Sequence, residues 1–181
     1  MTAAQRLFLE QGAAATTIEQ ITSGAEVAKG TFYLYFSSKE DVLAALRARF
    51  AEQLLASIKT AVAKKAAADW TEKLAAWAEA GVAGYVASSA LHDALFHASR
   101  PATREGLVDN ILINHLTELL AEGVAAKAWH LDDPRFAAVF LFNGLHSVVD
   151  EASSKKKPMA LSELARRVQR IYLCAVGLQT G

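Results

Sequence analysis

One cysteine, Cys174, is all that 181 residues contain, so no disulfide can form within the chain and a reducing compartment is expected. It lies in the apolar stretch IYLCAV, where a free cysteine is most simply a small buried residue. Proline is scarce, at three residues, and β-branched runs are few while alanine is abundant, which favours helices over sheet. Net charge is absent too: 19 basic residues balance 19 acidic ones, so no overall basic field points to nucleic acid or membrane. The longest apolar run, FAAVFLF at Phe136–Phe142, is too short to span a bilayer, and the opening MTAAQRLFLEQG lacks the apolar core of a secretion signal. A soluble, cytoplasmic protein without membrane contact is expected. At 52% hydrophobic and 21% charged residues, the chain can bury a sizeable core.

The first fifty residues are closely punctuated. Ala4, Leu7 and Phe8 sketch a first helix that stops at Gly12. Thr17 and Gln20 have capping-box spacing and open a short helix with Ile18 and Ile21 inward. Gly24-Ala25-Glu26-Val27 reads as a tight turn that returns Val27 to the core, and a third helix is expected from about Ala28 to Tyr35. Two short helices around a glycine-containing turn make a helix-turn-helix. Ser38 is placed to cap a long fourth helix whose apolar residues recur at threes and fours from Val42 to Val62, with Glu40 and Asp41 in its first turn. Further helices are expected over roughly 69–89, 91–99, 103–127, 133–153 and 160–177. Breaks fall at Arg100-Pro101, Asp133-Pro134 and Lys155-Lys156-Lys157-Pro158. The lysine run is most simply a solvated loop. The fold class is all-α, with about nine helices: an N-terminal three-helix unit holding the helix-turn-helix over 1–43 and a C-terminal helical domain over 44–181.

The second helix of such a motif carries side chains to base edges in the major groove. Lys29 can donate to phosphate or guanine, Thr31 offers a methyl and a hydroxyl, and Gly30 allows close backbone approach. Tyr33 and Tyr35 offer phenolic hydroxyls to phosphate, while Phe32 and Phe36, a turn apart, anchor the helix inward. Thr17 and Lys39, each at the start of a helix, are candidates to hold flanking phosphates. Together these give the DNA-binding set Thr17, Lys29, Gly30, Thr31, Tyr33, Tyr35 and Lys39. The bland alternative is an aromatic-rich packing helix.

The run TTIEQITSGAEVAKGTFYLYFSSKEDVL, Thr16 to Leu43, resembles the signature of the TetR/AcrR family of transcriptional regulators. Thr17, Ile18, Ile21, Ala25, Val27, Gly30, Thr31, Tyr33, Tyr35, Phe36, Lys39, Glu40 and Leu43 match in order without gaps, over about a quarter of the chain. The resemblance implies a homodimer on a near-palindromic double-stranded DNA operator, released when a small-molecule effector binds the C-terminal domain. It also implies a basic arm and an earlier turn that would precede Met1, and an aromatic residue where Ala13 stands. Residues 1–50 hold five cations (Arg6, Lys29, Lys39, Arg47, Arg49) and five anions (Glu10, Glu19, Glu26, Glu40, Asp41), so the head is neutral. A same-fold ligand-binding or interaction module with a weakly binding head is therefore the second reading.

The last two long helices carry more apolar residues than one face needs: Phe136, Val139, Phe140, Leu145, Val148 and Val149, then Leu161, Leu164, Val168, Ile171 and Tyr172. Paired with their copies they would form a four-helix bundle; packing within the chain is the alternative. Aromatic and isolated polar residues within apolar helices give the ligand-binding set Trp70, Trp77, Tyr85, Phe96, His115, Asn143 and His146, suited to a largely apolar effector of aromatic or acyl character. For the aromatics core packing competes, and for His115 and Asn143 a satisfied structural hydrogen bond does. No metal or cofactor is expected: His92 and His97 are five apart and off a shared zinc-binding face, and His146 with Asp150, four apart, is most simply a solvated or core pair. No nucleophile–base pair, phosphate loop or carboxylate pair stands out, so the chain is read as a non-enzyme.

Overall fold

The computed structural model describes residues 1–89, 91, 94, 110–154 and 159–178. Among the described residues it holds eight helices and no strand: α1 Thr2–Ala15, α2 Ile18–Gly24, α3 Lys29–Tyr33, α4 Lys39–Ala63, α5 Trp70–Ala87, α6 Ile111–Ala125, α7 Pro134–Ser154 and α8 Leu161–Ala175. The helix expected near 91–99, the first residues of the one expected from 103, and the lysine run at 155–157 lie outside the described residues. No helix of the described residues is long and apolar enough to cross a membrane.

The chain divides into two compact units. One is built on Met1–Ala51, the other on Glu52–Ala87 and the later helices, so α4 contributes residues to both. In the first unit, Ala4, Phe8, Ala13, Ile21, Phe32, Val42, Leu43, Leu46 and Phe50 form the core. Gly12 breaks α1 with a left-handed φ of +80°, a conformation open to glycine at little cost. The Thr16 hydroxyl donates to the Gly12 carbonyl at 2.8 Å and is itself reached by Gln11 Nε2 at 3.3 Å, closing the turn into α2.

In the second unit α5 is the central element: it packs most extensively on α8 and also touches α6 and α7, while α6 packs on α7. Trp77 makes this concrete. Its ring stacks on Tyr172 of α8 with centroids 5.9 Å apart, and its indole N–H donates to His115 Nδ1 of α6 at 3.1 Å. The Tyr172 hydroxyl, well buried, donates to the Leu141 carbonyl of α7 at 3.1 Å, so four helices meet through three polar or aromatic links. Because the indole can only donate, His115 must present an unprotonated Nδ1 and carry its proton on Nε2. Burial, with Lys59 nearby, holds the His115 pKa below the usual histidine value.

Two predictions follow from this packing. A β-carbon at Gly123 would overlap the Trp129 ring, whose N–H is committed to the Leu120 carbonyl at 2.9 Å. Gly123→Ala should therefore lower unfolding stability by about 1–3 kcal/mol in a denaturant titration, despite alanine's better helix propensity. A histidine whose folded pKa is depressed contributes stability that is present above its unfolded pKa of about 6.5 and is lost as pH falls below it. Melting curves between pH 8 and pH 5 should show that loss, and His115→Gln, which can still accept the indole N–H, should reduce it.

Candidate nucleic-acid interface

The α2–α3 segment is set by caps. Thr17 Oγ1 accepts from the Gln20 backbone N–H at 3.2 Å, and Gln20 Oε1 accepts from the Thr17 N–H at 2.8 Å, the reciprocal capping box that the spacing predicts. Gln11 Nε2 donates to the same Gln20 oxygen at 3.0 Å, tying α1 to this cap. The turn differs from the sequence expectation. Gly24 is the last residue of α2, where a β-carbon would make ordinary contacts with Ala3 and Arg6 of α1, and the left-handed residue is Glu26, with φ of +55°. Val27 does not return to the core; it is 41% exposed, because the Val27 N–H is spent on the Thr22 carbonyl and the chain leaves the turn along the surface.

Helix α3 is shorter than the expected 28–35. It ends at Tyr33, with Leu34 as its C-cap, so Tyr35 and Phe36 lie beyond it. The Tyr35 and Phe36 N–H groups still reach the Phe32 carbonyl at 3.0 Å each, which coils this end tightly. The Ser37 N–H then donates to Asp41 Oδ2 at 2.9 Å and the Asp41 N–H to Ser38 Oγ at 3.1 Å, a second reciprocal cap that opens α4. Phe32 is the buried residue of α3, with Phe36 half-buried at 5.7 Å and Tyr33 edge-on at 5.4 Å between ring centroids.

Against that anchor, the remaining residues face out. Lys29, Gly30, Tyr33 and Tyr35 are exposed, Thr31 is half-buried, and Thr17, the N-cap of α2, is exposed as well. A β-carbon at Gly30 would meet nothing within 4 Å, so this glycine is not required by the packing of its own chain. Leu34 was not among the residues singled out from sequence, yet at 80% exposure it is more exposed than any other large hydrophobic residue of this segment. Its place between two outward tyrosines was the available signal.

Two cations are already engaged. Lys29 pairs with Glu19 of α2. Lys39 is half-buried, and its ammonium donates to the Thr16 carbonyl at 2.9 Å and the Ala14 carbonyl at 3.3 Å. Lys39 thus holds the end of α1 to the start of α4, a structural role that its sequence position did not suggest.

The seven ligand candidates separate. Trp77 and His115 form one pair in the second unit, through the indole N–H, and Tyr85 and His146 form another. Tyr85 lies edge-on to His146 at 5.3 Å and 6.4 Å from Phe142, and His146 Nδ1 stands 3.4 Å from Asp150 Oδ2. Burial pushes the Tyr85 hydroxyl well above its usual pKa, keeping it neutral. Trp70 sits apart at the start of α5 under the Lys73 ammonium, 3.9 Å from its ring centre. Asn143 is exposed on α7 and donates to the Val139 carbonyl of its own helix at 2.7 Å, so it joins neither pair. Phe96, like His92 and His97, lies outside the described residues. A shallow groove of about 370 Å³ between α4 and α5, lined by Ala61, Lys64, Lys65, Ala76, Glu79 and Ala80, includes none of the candidates. Among the described residues no group of three or more metal-ligating side chains occurs.

The surplus on the last two helices also divides. Leu145, Val149, Leu164, Val168 and Tyr172 are buried within the chain, whereas Phe136 (71%), Phe140 (69%), Leu161 (44%) and Ile171 (54%) stand exposed. Cys174 is exposed rather than buried, one turn beyond Ile171.

The sequence profile of bacterial regulatory proteins of the tetR family matches residues 1–46. The uncharacterized HTH-type transcriptional regulator YerO of Bacillus subtilis (strain 168) is 55% identical over 38 residues, which are 21% of this chain and 13% of YerO. The fatty acid degradation regulator FadR of Bacillus halodurans superposes with a TM-score of 0.77 at 28% identity, over 98% of this chain and 97% of that one. FadR of Bacillus subtilis, solved with stearoyl-CoA, superposes at 0.76 with 24% identity, over 97% and 96% of the two chains. Residues 1–46 thus fit the profile of tetR-family regulatory proteins, and the chain as a whole is similar in fold to the FadR of Bacillus halodurans.

Proposed function

We propose that the protein is a ligand-responsive, DNA-binding transcriptional repressor in the cytoplasm, which holds a near-palindromic operator as a homodimer and releases it when a small, largely apolar effector binds the second unit. The observation that carries this reading is the segment Lys29–Tyr35. One buried ring, Phe32, holds it, and its other large side chains are turned outward, an arrangement that spends apolar and aromatic surface where packing has no use for it. In the groove, Lys29 would donate to guanine or phosphate, Thr31 would meet a base edge, and Leu34 would lie on a thymine methyl. Tyr33 and Tyr35 would donate to phosphates, and Thr17 would do so from its hydroxyl hydrogen, since its oxygen already serves the cap. Gly30 leaves room for the DNA backbone. Lys39, with two of its three N–H donors used internally, has one left for phosphate.

Phe136, Phe140, Leu161 and Ile171 are the surface we assign to the partner copy, which would cover them in a four-helix bundle. For the effector, we assign the pairs Trp77–His115 and Tyr85–His146 from the candidate set. The stearoyl-CoA carried by the FadR of Bacillus subtilis is consistent with an acyl compound as its class. A second reading, a ligand-binding module whose head binds DNA weakly, is favoured by the neutral head and by the internal engagement of Lys29 and Lys39.

Two measurements test the proposal. In titrations of a selected operator against random duplex, Lys29→Ala together with Thr31→Ala should lower the selectivity ratio by about 1–3 kcal/mol per lost base contact; an unchanged ratio would remove this helix from recognition. Solution mass should be that of two chains, and Phe136→Glu with Phe140→Glu should give one chain without loss of helix content; a wild-type monomer would refute the assigned dimer surface.

A further inference from the structure

The head has little positive charge to offer DNA, and the geometry shows where it goes. Among Met1–Ala51, Arg6 pairs with Glu10 at 3.4 Å, Arg49 donates to Gln5, Lys39 is tied to the Ala14 and Thr16 carbonyls, and Arg47 is half-buried. Lys29 is the one cation in the sequence of the recognition segment from Val27 to Phe36. It projects from the first residue of α3, and Glu19, in the first turn of α2, takes its ammonium. Both side chains are more than half exposed, at 54% and 64%, so nothing in the packing forces them together and either is free to meet another partner. Each favours the other's charged form: the Lys29 hydrogen bond holds the Glu19 carboxyl below its usual pKa, and Glu19 raises that of Lys29.

We propose that Glu19 is a built-in competitor for Lys29: a positioning and specificity residue that occupies the recognition helix's cation until DNA displaces it, and so lowers the affinity for DNA of arbitrary sequence. A phosphate approaching Lys29 meets a charge already neutralised by a carboxylate of the same chain. To bind, it must break that pair and bring its own negative charge towards Glu19. The loss applies wherever backbone electrostatics supply most of the affinity, as they do on non-specific DNA. On the operator, base contacts by the neighbouring side chains offset it. The neutral head is then a device for selectivity rather than a weakened version of a basic one. This inference rests on the DNA-binding reading above.

A double-mutant cycle on the full chain tests it, with wild type, Glu19→Gln, Lys29→Gln and the double variant each titrated with a random-sequence duplex at several salt concentrations. Melting curves check that all four fold alike. If binding breaks the pair, Glu19→Gln should tighten binding beside Lys29 by roughly two- to fivefold more than it does beside Lys29→Gln, the range typical of an exposed ion pair, with the excess shrinking as salt rises. An equal gain in the two backgrounds would overturn the proposal, since it would mean that Glu19 acts by general repulsion and the pair survives binding. Absence of salt-dependent binding from all four proteins would instead overturn the DNA-binding reading, and this inference with it.

Discussion

A helix of five residues cannot hold its own shape in water, because its nucleation cost is not recovered over so short a length. The whole outward face of α3 therefore depends on the burial of Phe32. That single ring sets the rotation of the helix, and the rotation decides that Lys29, Gly30 and Tyr33 point away from the core. The caps on either side divide the remaining work. The Thr17–Gln20 box fixes where α2 begins, the Ser38–Asp41 pair fixes where α4 begins, and Lys39 reaches back to the end of α1. Replacing Phe32 by a small residue would disorganise a surface that Phe32 itself never joins.

The second unit solves a different problem. Its helices are long enough to be stable by packing, and Trp77 shows how their register is fixed. A stacked ring, a directed indole N–H and a tyrosine hydroxyl connect α5, α6, α7 and α8. His115, Tyr85 and Tyr172 are held neutral by burial there.

Much of this was legible from residue spacing. Both capping motifs, the proline-led start of α7, with the Phe136 N–H on Asp133 at 2.9 Å, and the length of α4 follow from local rules that tertiary structure rarely overrides. What failed were statements about which way single side chains turn. Val27 looked like a core residue, but apolar character does not locate a residue at the exit of a tight turn. Asn143 looked internal because its neighbours in sequence are apolar, although a helix turns every such residue through its own angle. The tie that Lys39 makes to α1 was also out of reach, since its carbonyl partners come from residues more than twenty positions earlier, a distance that no window of sequence samples. The partition of α7 and α8 into buried and exposed apolar residues likewise required the fold.

Whether this small anchored helix presents its outward surface to DNA is tested most directly by the backbone amide shifts in an NMR titration with duplex DNA. Perturbations should concentrate at Thr17–Gln20 and Val27–Tyr35, with Phe32 keeping its buried environment. Perturbations confined to residues beyond Glu52, or none at saturating DNA, would contradict the DNA-binding reading.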